Sequence, residues 1–95
     1  MHYVLRPGIV RVSVCGVYLL IPNREASLSC PYVQRISIMA AAAIENIEKG
    51  LPVEKTYEMY RILSKQPENV VREKIDAMLH AFYEKGFLIR VEDKE

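Results

Sequence analysis

The hydrophobic pattern is clearest in the last third of the chain. Val71, Ile75, Met78, Leu79 and Phe82 lie four, three, one and three residues apart, which gathers them on one face of a helix. Glu68, Glu73, Asp76, Glu84 and Lys85 fall mainly on the other faces. Gly86 supplies the left-handed stop that helices favour, and Phe87 to Val91 reads as a short strand. Near the start the period is two. Ile9, Arg11 and Ser13 alternate with Val10, Val12 and Val14, the signature of a half-buried strand. Cys15-Gly16 predicts a tight turn, and the apolar run Val17 to Ile21 a central strand shielded on both faces. Arg24 to Ser29 is weaker: it reads as loop or as a short third strand, and the strand is favoured, with Ala26 and Leu28 inward and Glu25 and Ser27 outward. Its shortness and polarity suit an edge strand.

Between these regions Ile36, Ala40, Ala43, Ile44 and Ile47 form a helical stripe. The expected helix runs from Pro31, a residue tolerated in a first turn, to Lys49, with Gly50 as its stop and Ser29 or Cys30 at the cap. A second helix, Val53 to Ser64, has Val53, Tyr57, Tyr60 and Leu63 as its inner set, and Gln66-Pro67 separates it from the last helix. Arg6-Pro7-Gly8 is a turn signal, which leaves residues 3–5 as a loose extended arm. The fold class is therefore α+β: a winged helix-turn-helix-like arrangement, with a three-stranded antiparallel sheet at the N-terminus followed by three helices. Residues 1–95 read as one domain, with the sheet in 1–29, the three-helix part in 30–91 and a frayed tail in 92–95.

Composition narrows the function classes. Hydrophobic content of 51% supports one modest core, and 13 Lys+Arg against 12 Asp+Glu leave no basic excess of the kind that phosphate contacts need. No apolar run approaches the roughly 20 residues of a bilayer span, and MHYVLRPG lacks a signal-peptide layout. A soluble cytoplasmic protein is expected, with Cys15 and Cys30 as reduced, buried or half-buried thiols. Catalytic chemistry finds no foothold. His2 lies at the start of the chain, His80 has no nearby partner in sequence as a base or ligand, no Gly-rich phosphate loop or serine elbow is present, and no spacing suits a metal. Glu54, Glu58, Glu73 and Asp76 sit among Lys and Arg at helical spacing and read as solvated faces. The sequence points to a binding protein, not an enzyme, with no cofactor.

The segments RPGIVRVSV, GVYLLIPN and REASLS, the Pro-opened helix ending EKG, and the closing AMLHAFYEKGFLI together resemble the PqqD-like family. These are precursor-peptide recognition domains of ribosomally made, modified peptides, also called RiPP recognition elements. The resemblance covers about Leu5 to Val91. Cys30-Pro31 stands where the family often has a polar cap, and the first helix with its alanine run is long for the family. The resemblance implies a non-catalytic, chaperone-like module. The leader of a precursor peptide would add as a strand to the third strand, in the cleft beside the last helix, and be presented to a modifying enzyme such as a radical SAM enzyme, a peptidase or a cyclodehydratase. Carried onto this chain, the strand is Arg24, Glu25, Ala26, Ser27 and Leu28, pairing through backbone. The helix, Val70 to Glu84, offers Arg72, Lys74, Ile75, Met78, Leu79 and Phe82, with Tyr83 at the rim. Ile75, Met78, Leu79 and Phe82 are equally core candidates. Arg72 and Lys74 suit acidic leader residues.

Two other readings compete. A DNA-binding winged helix-turn-helix would need Arg, Lys, Asn or Gln along the last helix, which instead carries Glu68, Glu73, Asp76 and Glu84. Too little chain is expected after Val91 for a two-stranded wing, and with those carboxylates no nucleic-acid partner is expected; the lack of a bilayer-length apolar run predicts no membrane partner. An accessory subunit would use Gly16, Val17 and Tyr18 as interface, and an open third strand also allows a homodimer by strand exchange.

Overall fold

A computed structural model of the chain describes residues 2–28 and 30–92. The order of elements is β1 (His2–Leu5), β2 (Ile9–Val14), β3 (Val17–Pro22), a 3-10 turn (Ala26–Leu28), β4 (Gln34–Ile36), α1 (Ile38–Glu48), α2 (Val53–Ser64), α3 (Glu68–Lys85) and β5 (Leu88–Val91). It is an α+β fold with two antiparallel sheets, β2-β3-β4 and β1-β5, and three helices. The molecule is a slab of 41 × 40 × 21 Å.

The β2-β3 hairpin follows its alternation. Cys15 and Gly16 both have positive φ, 50° and 78°, as a two-residue hairpin loop requires. The Cα partners Ile9↔Pro22, Arg11↔Leu20 and Ser13↔Tyr18 share one face with Gln34 and Ile36 of β4. Ile9, Leu20 and Ile36 of that face are buried in the core with Val71, Ile75, Leu79, Phe82, Phe87 and Leu88. The opposite face carries Val10, Val12, Val14, Val17, Leu19 and Ile21, with Arg35 at the β4 end. None of these is buried, so β3 is central in the sheet but covered on one face only.

The third strand is not where the pattern placed it. Arg24 and Glu25 form a turn and Ala26–Leu28 a 3-10 helix, while the strand beside β3 is Gln34–Ile36, so the sheet extends past residue 29. Asn23 is the cause. Its Oδ1 accepts from Ala26 N–H at 2.8 Å and its carbonyl from Ser27 N–H at 2.9 Å, which curls the chain back before a strand can start. Asn23 is itself fixed against Gly8, where φ is +90° and an added Cβ would stand 2.5 Å from Asn23 Oδ1. Ala26 is buried as expected, but Leu28 is 89% exposed.

The first helix accordingly starts at Ile38 rather than Pro31, capped by Ser37, whose Oγ accepts from Ala40 N–H at 3.1 Å. The proposed cap residue Ser29 lies outside the described residues. Ile36 still enters the core, but from a strand, while Ala40, Ala43 and Ile44 are buried from the helix. In α2 the bounds match and the inner set does not. Tyr57 and Tyr60 pack on the core, Val53 and Leu63 are exposed, and the buried residue is Thr56, which accepts from Asn46 Nδ2 at 3.2 Å. Cys30 is buried and Cys15 exposed, both free thiols.

The N-terminal arm is not loose. β1 pairs with β5 in the register His2↔Val91 to Leu5↔Leu88. Arg6 N–H donates to the Phe87 carbonyl at 3.0 Å and Arg6 Nε to the Gly86 carbonyl at 2.6 Å. A two-stranded wing thus follows α3 after all, its second strand drawn from the start of the chain. Residues 93–95, most of the tail expected to fray, lie outside the described residues.

Candidate functional site

The flanks of α3 are committed to different neighbours. The central stripe, Val71, Ile75, Leu79 and Phe82, is core, so Ile75, Leu79 and Phe82 have no surface to offer a ligand. On one flank Arg72, Asp76 and Tyr83 follow each other at helical spacing. The Arg72 guanidinium lies 5.1 Å from the Tyr57 ring centroid of α2 and 3.2 Å from Glu68 Oε1. The Tyr57 hydroxyl donates to Asp76. Partial burial, and then the Asp76 carboxylate, push the Tyr57 hydroxyl up to about 12. Tyr83 faces the β1-β5 sheet: its ring is 5.9 Å from that of Tyr3, and the Arg90 guanidinium stands 4.3 Å over it. Arg72 and Tyr83 therefore do not reach β4.

The other flank carries Lys74, Met78, Ala81 and Lys85, at steps of four, three and four. Met78 is half-buried against the core, and Lys74 donates to Gln66 Oε1 at 3.1 Å. Lys85 reaches β4 directly, donating to Gln34 Oε1 at 3.1 Å. The Gln34 Nε2 in turn donates to the Arg35 carbonyl at 2.8 Å, so one side chain ties the β4 backbone to the end of α3. Beside this bridge lies a cleft of about 560 Å³ lined by Pro31, Tyr32, Val33, Gln34, Glu84 and Lys85. Tyr32 and Val33 are 58% and 61% exposed at its mouth. Among the described residues β4 pairs on one side only, with β3.

The structure therefore separates the residues expected to act together. Arg24, Glu25, Ser27 and Leu28 are in a turn and a 3-10 helix, with no ladder to offer; Ala26 is core. Lys74 and Met78 share a flank of α3 with Lys85, the residue that reaches β4, but Lys74 donates to Gln66 and Met78 packs on the core. Tyr32, Val33, Gln34, Arg35 and Lys85, which form or adjoin the cleft and its edge strand, were not among the expected residues. The signal was Ser37 followed by helix-forming Ile38–Glu48, which dates the helix start late enough to free residues 32–36 for a strand. Among the described residues no group of three or more His, Cys, Asp and Glu could hold a metal, and no helix is long and apolar enough to cross a membrane. A search of protein-family models, curated proteins and solved structures finds no match to the chain.

Proposed function

We propose that the chain is a peptide-binding module of the PqqD-like kind, which takes the leader of a ribosomally made precursor peptide by strand addition and presents it to a modifying enzyme. The observation that carries this reading is β4, a sheet edge paired on one side only among the described residues and lying beside a cleft at the end of α3. An incoming strand gains main-chain hydrogen bonds from such an edge and side-chain selection from the adjoining groove. The docking strand is Gln34–Ile36, and the groove residues are Pro31, Tyr32, Val33, Glu84 and Lys85. They replace the Arg24 to Leu28 segment, Arg72 and Tyr83. Lys85 favours an acidic residue in the leader, and Tyr32 and Val33 favour apolar ones. The module acts without chemistry of its own, in the cytoplasm. The partner enzyme is of a class that modifies such peptides, a radical SAM enzyme, a peptidase or a cyclodehydratase.

The test is an amide-shift titration with the leader of a precursor peptide encoded beside this protein. Binding at about 10⁻⁶ M or tighter, with the largest shifts at Tyr32 to Ile36 and Lys85, is expected. Gln34→Ala frees the Arg35 carbonyl and should leave or strengthen that binding. Leader-induced shifts that bypass β4 altogether would sink the reading.

The β1-β5 wing favours a second reading, DNA binding, since a wing after the last helix is what such regulators use. Against it stand the carboxylates of α3, with Arg72 already engaged by Glu68. Salt-steep binding to random duplex at low ionic strength would support this second reading over the first.

A further inference from the structure

A second cavity, of about 600 Å³, is bounded by β1, the end of α1, the α1-α2 link, α2 and α3. Its apolar wall is Tyr3, Val4, Ile47, Leu51, Val53 and Leu79. Against that wall stand two carboxylates and two hydroxyls. The Tyr57 hydroxyl donates to Asp76. Burial and Asp76 raise the pKa of that hydroxyl most, and Glu54 raises it further against the pull of Arg72, so both carboxylates bear on one atom. Among the described residues neither Glu54 nor Asp76 forms an ion pair. The cavity's described lining includes no lysine or arginine, and its base is His2. Arg72 lies over the Tyr57 ring but is engaged by Glu68. Deeper in, Thr56 is 3% exposed. Its hydroxyl accepts from Asn46 Nδ2 at 3.2 Å, and among the described residues its own proton has no acceptor. A buried hydroxyl with a donor to spare, facing a cavity, is a group that a ligand would satisfy.

We propose that this cavity binds a small organic amine, a protonated ammonium carried on an apolar body. Charge selects the ammonium. Two unpaired carboxylates beside an apolar wall attract a cation and repel an organic acid, and a neutral ligand of the same shape forgoes the charge-assisted hydrogen bonds. The wall of Tyr3, Val4, Ile47, Leu51, Val53 and Leu79 takes the apolar body. Thr56 donates to an acceptor on that body, such as a hydroxyl or a carbonyl. Size selects a free small molecule: about 600 Å³ falls within the roughly 300–1,000 Å³ of small-molecule sites. The cavity shares no lining residue with the cleft beside β4, so the proposal stands independently of the peptide-binding reading.

Amide-shift titrations of the full chain at neutral pH test this with three probes of matched body: 2-phenylethylamine, 2-phenylethanol and 3-phenylpropionate. The amine should bind at about 1 mM or tighter, with shifts centred on Leu51, Thr56, Tyr57 and Asp76. It should bind about tenfold more tightly than the alcohol, and the acid most weakly of the three. Glu54→Gln combined with Asp76→Asn keeps the shapes and the Tyr57 acceptor but removes both charges. That variant should bring the amine down to the affinity of the alcohol, and core amide shifts check that it is folded. Glu54→Gln alone, at an exposed position, should give part of the same loss. No binding of the amine up to about 10 mM overturns the proposal. So does an amine bound no better than the alcohol, an amine preference that survives the double substitution, or shifts that fall outside the cavity. An acetyl-capped lysine amide that binds more tightly than phenylethylamine would make the occupant a partner's lysine and overturn the free amine.

Discussion

At the scale of residues, several side chains act through a single partner, and those pairings make sharp tests. Tyr57 donates to Asp76, and its pKa is raised from 10.0 to about 12 by partial burial and that carboxylate. A group whose pKa is higher folded than unfolded keeps its stabilising share below the unfolded value and loses it as pH climbs to the folded one. The protein should therefore lose stability between pH 10 and about 12 in part through this group. In urea unfolding, the gap between wild type and Tyr57→Phe should narrow over that window. The gap is small throughout, because the pair is open to solvent and screened. Gly8 makes a steric test. Alanine there meets Asn23 Oδ1 at 2.5 Å in a backbone of φ +90°. Gly8→Ala should cost about 1–3 kcal/mol and loosen the Asn23 turn, which amide exchange at Ala26 and Ser27 would report. His80 shows how a partner fixes a tautomer. The Arg90 guanidinium has donors only, so His80 Nδ1, 3.3 Å from Arg90 Nη2, must accept. The neutral ring then carries its proton on Nε2, where Glu84 Oε1 stands at 3.1 Å.

At the scale of elements, Ser37 separates strand from helix. It ends β4 in extended backbone, φ −72° and ψ 165°, and caps α1. Ser37→Ala should destabilise the protein by about 1 kcal/mol, seen as a lower urea midpoint with unchanged slope. The same residue explains why this stretch was hard to read. A hydrophobic stripe from Ile36 to Ile47 fits one helix by spacing alone, and Pro31 is an acceptable first-turn residue, so the periodicity runs through the junction. Ile36 enters the core equally well from either element. The β2-β3 hairpin, α2 and α3 were legible because their periods, turns and stops agree: Gly86 has φ 92° and donates its N–H to the Phe82 and Tyr83 carbonyls. The Arg24 to Ser29 stretch was misread because its alternation is weaker than the Asx turn begun by Asn23. The groove was half legible. The α3 stripe could be read, but which flank faces β4 depends on where α2 packs, and that is a tertiary fact no local pattern contains.

At the scale of the molecule, the N-terminal strand decides which edges stay open. An extended apolar arm could have filled the outer edge of β4, which is unpaired among the described residues, and closed the groove. It pairs with β5 instead, and the reasons are specific. The Arg6 backbone and guanidinium take the Phe87 and Gly86 carbonyls left free at the end of α3. Arg90 is held between the Tyr3 and Tyr83 rings, with centroids at 5.5 and 4.3 Å. Leu5 sits opposite Leu88, which is fully buried. Removing residues 1–5 should therefore cost several kcal/mol: half-burial of Tyr3 and Leu5 contributes about 1 kcal/mol or more each, and the β5 ladder is lost as well. Small domains hold only about 5–15 kcal/mol in total, so the truncated chain should unfold at markedly lower urea and expose Phe87 and Leu88. A loose arm would instead leave the urea midpoint unchanged. Peptide binding distinguishes the two edges further. If β1 belongs to β5, truncation should not tighten leader binding at β4 under conditions where the shortened chain is still folded. If the arm also visits β4 and competes there, leader affinity should rise on its removal.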